Sequence, residues 1–254
     1  MNIQQFKDYL AEVFGIDRLS RDSGFTHVGS QEITKMGYAA NITPQTLEEA
    51  IRARVNMMLT HHDPWQEVYG LREYCVQRLQ EYDMTHYYLH PALDDCDFGT
   101  GASLLVRLGA RVAEKSNQSG EWYWGRIGEF EPPVGFDELV QRMEAALEEP
   151  VCAWRNNERL VKRAVVVPGQ GWATYEIRDA MERHCDVYIT GEKLLYTVAY
   201  AQFVSMNLIV GSHTFSEILG MESLAQRIGQ RFPEVEVTRL REDHLEAMGL
   251  RRPL

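Results

Sequence analysis

Two adjacent histidines, His61-His62, follow the apolar run Met57-Met58-Leu59-Thr60, and three distant segments repeat that arrangement. Tyr87-Tyr88-Leu89 runs into His90 and Asp94. Val187-Tyr188-Ile189-Thr190 runs into Gly191-Glu192, and Leu208-Ile209-Val210-Gly211 runs into Ser212-His213, with Glu217 four residues on. Each run reads as a strand, and open α/β sheets bind ligands outside the carboxyl ends of their strands. His61, His62, Asp94, His213 and Glu217 together are the imidazole and carboxylate set of a metal centre.

Singly, each motif has an ordinary explanation. Neighbouring strand residues point to opposite faces, so a His pair serves one site only where the strand ends and the backbone turns. Pro64 marks such a turn, and for the dipeptide taken alone an exposed turn pair is the simpler account. His213 and Glu217 share one helical face if Thr214 to Glu217 starts a helix. A Glu favoured by the helix dipole, with Ser216 or Thr214 as cap, fits the same residues. Asp94 stands in the acidic loop Leu93-Asp94-Asp95-Cys96-Asp97. Gly169-Gln170-Gly171 follows a strand as a phosphate-cradling loop would, but lacks a third glycine and a lysine.

The elements that must carry these residues alternate. Asn2 caps a helix with Ile3, Phe6, Leu10, Val13 and Phe14 at helical spacing. Residues 24–29 read as loop and 33–42 as a strand. Thr43-Pro44 opens a helix that leads to the strand ending at Thr60. A helix over 66–81, with Val68, Leu71, Cys75, Val76 and Leu79 inward, precedes the strand 85–90, and Gly99 and Gly101 open another helix. Residues 115–120 read as a polar linker or loop, and Pro132-Pro133 precedes a helix through Leu147. A hairpin turning at Asn156-Asn157 leads into the strand 164–167. Helices and strands then alternate to a helix around 218–228 and a last strand at 235–237. The order predicts an α/β fold of two interlinked lobes with mainly parallel or mixed sheets and a metal cleft between them. The lobes are expected over 1–128, with the His-His and Asp motifs, and 129–254, with the His-x-x-x-Glu motif, and they can interleave.

Composition narrows the function classes. The chain has 254 residues, 44% hydrophobic and 25% charged, with a formal net charge of −11. That charge opposes bulk binding to nucleic acid, which needs a basic face, yet two divalent ions would leave a pocket attractive to phosphate. Cys75, Cys96, Cys152 and Cys185 form no Cys-x-x-Cys pair, hence neither a disulfide framework nor a thiolate site. No apolar run approaches the roughly 18 residues of a membrane helix, and the first residues lack a signal-peptide pattern. The expectation is a cytoplasmic protein with no membrane partner.

Thr60-His61-His62, His90-Pro91-Ala92-Leu93-Asp94, Asp186 to Glu192, and Gly211-Ser212-His213-Thr214-Phe215-Ser216-Glu217 resemble, in that order, the signatures of the Nif-three-like family, often labelled type 2 GTP cyclohydrolase I homologues. Gly125-Arg126-Ile127-Gly128-Glu129 is similar to its central glycine-arginine-glycine element. The resemblance implies a dinuclear site of two divalent ions (Zn, Fe, Mn, Ni or Co) in subunits that assemble as a homo-hexamer. His61, His62, Asp94, His213 and Glu217 would be ligands, with Glu217 bridging. His90 would sit beside them as the catalytic acid–base, and Thr190 and Glu192 would support the site. The chain departs from the family pattern at Asp63-Pro64-Trp65 and at Pro91-Ala92, where the family usually carries Thr-Asn.

Two functions follow as expectations. One is a metal-dependent hydrolase acting on a nucleotide or phosphate-bearing small molecule, GTP cyclohydrolase-like by resemblance, with Trp65 placed to stack on a purine or to fill core. The other is a non-catalytic protein for metal storage, delivery or sensing, or an assembly scaffold. A hydrolase needs an open coordination position, whereas a storage site can be closed.

Overall fold

The computed structural model describes residues 1–246. In chain order the elements are α1 (Ile3–Phe14), α2 (Ile16–Leu19), β1 (Ser23–His27), β2 (Lys35–Ala39), α3 (Pro44–Arg52), β3 (Met57–Thr60), α4 (Leu71–Glu81), β4 (Thr85–Leu89), α5 (Pro91–Asp94) and α6 (Thr100–Arg107). They continue with β5 (Arg111–Ser119), β6 (Trp122–Val134), α7 (Phe136–Leu147), β7 (Cys152–Trp154), β8 (Val161–Val167), α8 (Thr174–Glu182), β9 (Val187–Thr190), α9 (Leu195–Phe203), β10 (Asn207–Val210), α10 (His213–Arg231) and β11 (Glu236–Arg239).

Two compact units result, each built on one mixed sheet. Met1–Gly99 and Gly220–Asp243 form the first, and Thr100–Leu219, with the described residues 244–246, the second. The sequence divides at 128; the units divide after Gly99, because β5 and β6 pair with each other and β6 with β8, which ties both strands to the second sheet.

In the first unit the strand order is β1-β4-β3-β2-β11. All pairs are parallel except β1 with β4. Asn2 and Gln5 close a capping box on α1; Thr43 and Thr46 close one on α3, with Pro44 in its first turn. Leu47, Ala50, Met58, Cys75 and Leu79 make the core between helices and sheet. Thr60 pairs with Ala39 and Tyr88, so the carboxyl ends of β2, β3 and β4 lie level. In the second unit the order is β5-β6-β8-β9-β10-β7, with β8, β9 and β10 parallel. Thr190 pairs with Val167 and Val210, again levelling three strand ends. Val165, Ile177, Tyr188 and Leu208 are buried there together.

Several local expectations need correction. Residues 115–119 are not a linker but the end of β5, with Gly120 in the turn that follows; the alternation of β5 is faint because it is an edge strand with Arg111, Glu114 and Gln118 toward solvent. Residues 24–27 are strand, β1, rather than loop. No hairpin turns at Asn156-Asn157: β7 pairs with β10. The two amides instead bond Met206 O and Ser205 O, each at 2.7 Å. α4 starts after Gly70, whose φ of 82° marks a left-handed turn, so Val68 lies outside the helix and is 47% exposed. α10 begins at His213, five residues before the expected start, because its first amide groups are met. The Ser212 hydroxyl accepts from Phe215 N–H, and Glu246 accepts from His213 and Thr214 N–H.

Candidate metal centre

In the first unit the site grows out of two neighbouring strand ends. β3 stops at Thr60, and Ala40 O accepts the N–H groups of both His61 and His62 at 3.0 Å, which folds the pair into one tight turn. The Thr60 hydroxyl donates to His62 O at 2.6 Å, so its 2.7 Å contact with His86 must be an Nε2–H donated to it. Burial holds the His86 imidazole neutral, with its pKa pushed down to about 3. β4 runs parallel beside β3, and His90 follows its last residue.

One ring nitrogen from each of His61, His62 and His90 lies within 4.8 Å of the others, a grouping that could hold a metal ion. His61 Nε2 is 3.3 Å from Asp94 Oδ1. Each of the three rings is held by the opposite nitrogen. His61 Nδ1 faces Leu89 O at 2.8 Å, His62 Nδ1 faces Asn41 Oδ1 at 2.9 Å, and His90 Nδ1 faces Asp22 Oδ2 at 2.7 Å. A carbonyl, amide or carboxylate oxygen can only accept, so Nδ1 carries a proton in each and Nε2 is the nitrogen left to face an ion. The hydrogen bond from His90, outweighing burial, holds Asp22 below the usual carboxylate range.

The second unit's group stands at the first turn of α10. His213 Nδ1 donates to Glu192 Oε1 at 2.6 Å, and His213 Nε2 is 3.3 Å from Glu217 Oε1, four residues on. Burial opposes the imidazolium, but the Glu217 and Glu192 carboxylates overcome it and push the His213 pKa up to about 11. Gly169, at φ 61°, lies so close that a Cβ there would collide with Glu217 Oε1 and come within 2.9 Å of His213 Nε2. Its N–H donates to the Ser216 hydroxyl, and its carbonyl accepts from Thr190 Oγ1 at 3.4 Å. Glu149 anchors the strand-to-helix turn by accepting from Ser212 N–H and His244 Nδ1, both at 2.9 Å. The His244 ring stacks on Phe215 at 3.9 Å.

Imidazole with carboxylate suits zinc, iron, nickel or manganese. Opposite ligands of such an ion stand about 4.2 Å apart for bonds of roughly 2.1 Å, and the ligand atoms here are spaced on that scale. The donor set therefore fits a divalent ion.

A family model described as Duf34/NIF3 (NGG1p interacting factor 3) matches residues 1–244. The chain belongs to the DUF34/NIF3 family. It is 26% identical over 242 residues to a "GTP cyclohydrolase 1 type 2 homolog" of Pyrococcus abyssi, covering 91% of this chain and 95% of that one. Among solved structures, reduced HcgD from Methanocaldococcus jannaschii superposes with a TM-score of 0.78 at 20% identity, covering 95% of this chain and 98% of that chain. A Staphylococcus aureus hypothetical protein gives 0.82 at 17% identity, covering 100% and 99%. At these identities the structural likeness carries the DUF34/NIF3 fold alone.

Where this chain departs from the family pattern, the structure assigns local roles. Pro91 occupies the first turn of α5, which ends on Asp94. Asp63 accepts from Thr26 and Arg72 and is an anchor of the turn. Trp65 remains 39% exposed, its ring 5.5 Å from that of His62. Glu192 and Thr190 are the ring-holding partner of His213 and the support of Gly169. Sequence reasoning missed Asn41 and Asp22, which hold His62 and His90 from elements far away in the chain. Gly169 was visible only as part of an incomplete phosphate loop.

Proposed function

We propose that this chain is a metal-dependent hydrolase, with His61, His62, Asp94, His213 and Glu217 as ligands of two divalent ions and Glu217 as the bridging carboxylate. The observation that carries the reading is the fixing of each histidine of both groups through Nδ1, which presents Nε2 as the donor. When bound, two such ions supply Lewis acidity toward an electrophilic carbon or phosphorus.

The chain's own residues have distinct tasks. Asp94 and Glu217 offset cationic charge. Glu192 fixes the His213 ring and Leu89 O the His61 ring. His90, paired to Asp22 at Nδ1, exchanges a proton at Nε2 with substrate or leaving group. Trp65 offers an aromatic face beside His62, which suits a nucleotide base. The name borne by the Pyrococcus abyssi relative, which points to a GTP cyclohydrolase likeness, supports a nucleotide or phosphate-bearing substrate.

The test is metal-loaded protein assayed against GTP and a panel of phosphoesters, with a chelated control. Turnover that chelation abolishes supports the hydrolase; tight metal binding with no turnover would transfer the protein to storage, delivery or sensing. Metal counting tests the bridge. Glu217→Gln is expected to lose both ions and His62→Ala only one, and the reverse result would move the bridging role to Asp94.

We also propose assembly beyond a dimer, as a homo-hexamer. α9 has no charged residue and leaves Leu195 88% and Phe203 83% exposed, an apolar surface of the kind that partners cover. Sedimentation equilibrium giving a monomer at micromolar concentration would refute it. Among the described residues no helix is long and apolar enough to cross a membrane.

A further inference from the structure

The parallel pairing of β11 with β2 aligns Arg239 with Tyr38 and carries the chain past the end of β2. Leu240 N–H donates to Tyr38 O at 2.9 Å, and Glu242 follows beside the Ala40-Asn41 turn. Its carboxylate accepts three N–H groups: Ala40 N at 2.7 Å, Asn41 N at 3.0 Å and Asn41 Nδ2 at 3.2 Å. Asn41 is itself buried, and its Oδ1 faces His62 Nδ1 at 2.9 Å.

The polarity of this chain of bonds matters. A side-chain amide has a donor end and an acceptor end, and nothing in its shape decides which way it points. Both Glu242 oxygens are already turned to backbone N–H donors, Oε2 to Ala40 and Oε1 to Asn41, so Oε1 meets the side-chain amide as an acceptor. Glu242 therefore selects the NH₂ end of Asn41 and turns Oδ1 toward His62. His62 Nδ1 must then carry a proton toward Oδ1, which leaves Nε2 as the ring nitrogen that can face an ion. Through Ala40, whose carbonyl takes the N–H groups of His61 and His62, the same carboxylate also steadies the turn that holds both rings.

We infer that Glu242 is a positioning residue of the metal centre, setting the tautomer of His62 through Asn41 from a segment about 180 residues away in the chain. The inference rests on the metal-binding reading for its consequence, but the tautomer can be measured without metal, so the two can fail separately.

The experiment uses the full chain, free of metal and then titrated with zinc by chelator competition. Nitrogen-15 NMR of the metal-free protein is expected to show His62 as a single Nδ1–H tautomer. Glu242→Gln can present either end to Asn41, so a tautomer mixture and roughly tenfold weaker zinc binding are expected. Glu242→Asp, still an acceptor only, should restore the single tautomer. Glu242→Ala gives the same reading if the Gln variant does not fold. The pair Glu242→Gln and Asn41→Ala should lose no more affinity together than Asn41→Ala alone, because they share one path. Glu236→Gln, an exposed partner of Lys35, should leave both readings unchanged. A single Nδ1–H tautomer in folded Glu242→Gln or Glu242→Ala, or additive losses in the pair, would overturn the role of Glu242. No zinc binding by the wild type would overturn the metal reading instead, and the tautomer result would still decide the relay.

Discussion

The two units present the same chemistry in opposite proportions. The first gathers three imidazoles, His61, His62 and His90, around one carboxylate, Asp94. The second sets one imidazole, His213, between two carboxylates, Glu192 and Glu217. In the first, each ring is held through Nδ1, which leaves Nε2 as the ring nitrogen that faces the group. In the second, the carboxylates outweigh burial and keep a proton on His213 that any metal must displace. Neutral donors give a site its directionality, whereas carboxylates give it charge at the expense of competition with protons.

That contrast can be broken from either side. Beyond the loss of both ions expected of Glu217→Gln, the largest effect is expected from His61→Ala. His61 is fully buried between Leu89 O and Asp94, so the variant removes a fixed donor that no neighbour replaces. Zinc affinity should fall by about 100-fold or more, at or beyond the upper end of what changes to outer-shell partners of metal ligands cost, as read by chelator competition.

Glu217→Gln should next expose the proton trap. Without that charge the His213 pKa falls below about 11, followed by NMR titration of the metal-free protein. The sign is fixed. A raised imidazole pKa gives stability that is present below the ordinary His value and lost as pH rises through about 11. The variant should therefore be less stable than the wild type at neutral pH, and this deficit should shrink in strong alkali. An unchanged His213 titration would assign its proton to Glu192 alone.

A smaller change, about 2 kcal/mol, is expected of Gly169→Ala, which combines a positive φ with collision against Glu217. Gly15→Ala shares the positive φ but meets open space, so denaturant unfolding should show it to be the milder of the two.

The smallest effect concerns Glu176, away from either group. Burial pushes its carboxyl up to about 7, with Ala173 N–H and Tyr188 OH as its donors. Between its ordinary value and about 7 the unfolded chain has lost a proton that the folded chain keeps, so stability falls with rising pH and then levels. Glu176→Gln should lack this fall, seen as a smaller difference in Tm between pH 5 and pH 8. Equal differences in variant and wild type would mean that the carboxylate is ionised throughout.

The strands that end on chemistry were legible because each is a short, wholly buried apolar run broken by a polar residue, as Met57 to Thr60 and Val187 to Thr190 are. Edge strands were not. β5 alternates poorly because solvent accepts charges along its open side, and β1 is only half-buried throughout. The hairpin expected at Asn156-Asn157 failed because an Asn pair also suits bonding to distant carbonyls, here those of 205 and 206. At the candidate site the residues with ligating atoms were legible from type and order. Their partners were not, since Asn41, Asp22 and Glu242 look like any surface polar residue until the sheet register sets them beside a ring. Local pattern reveals which side chain does chemistry, and only the fold reveals what holds it.

The fixed imidazoles have a thermodynamic meaning. Ordering a rotatable side chain at the moment of binding costs about 0.5–1.5 kcal/mol each. His61, His62, His90 and His213 are already ordered by their Nδ1 partners. That entropy, roughly 2–6 kcal/mol over four rings, is surrendered during folding. Capture of an ion then requires little further loss of side-chain freedom, so the marginal stability of the two units and the tightness of their grip on a ligand are set by the same handful of hydrogen bonds.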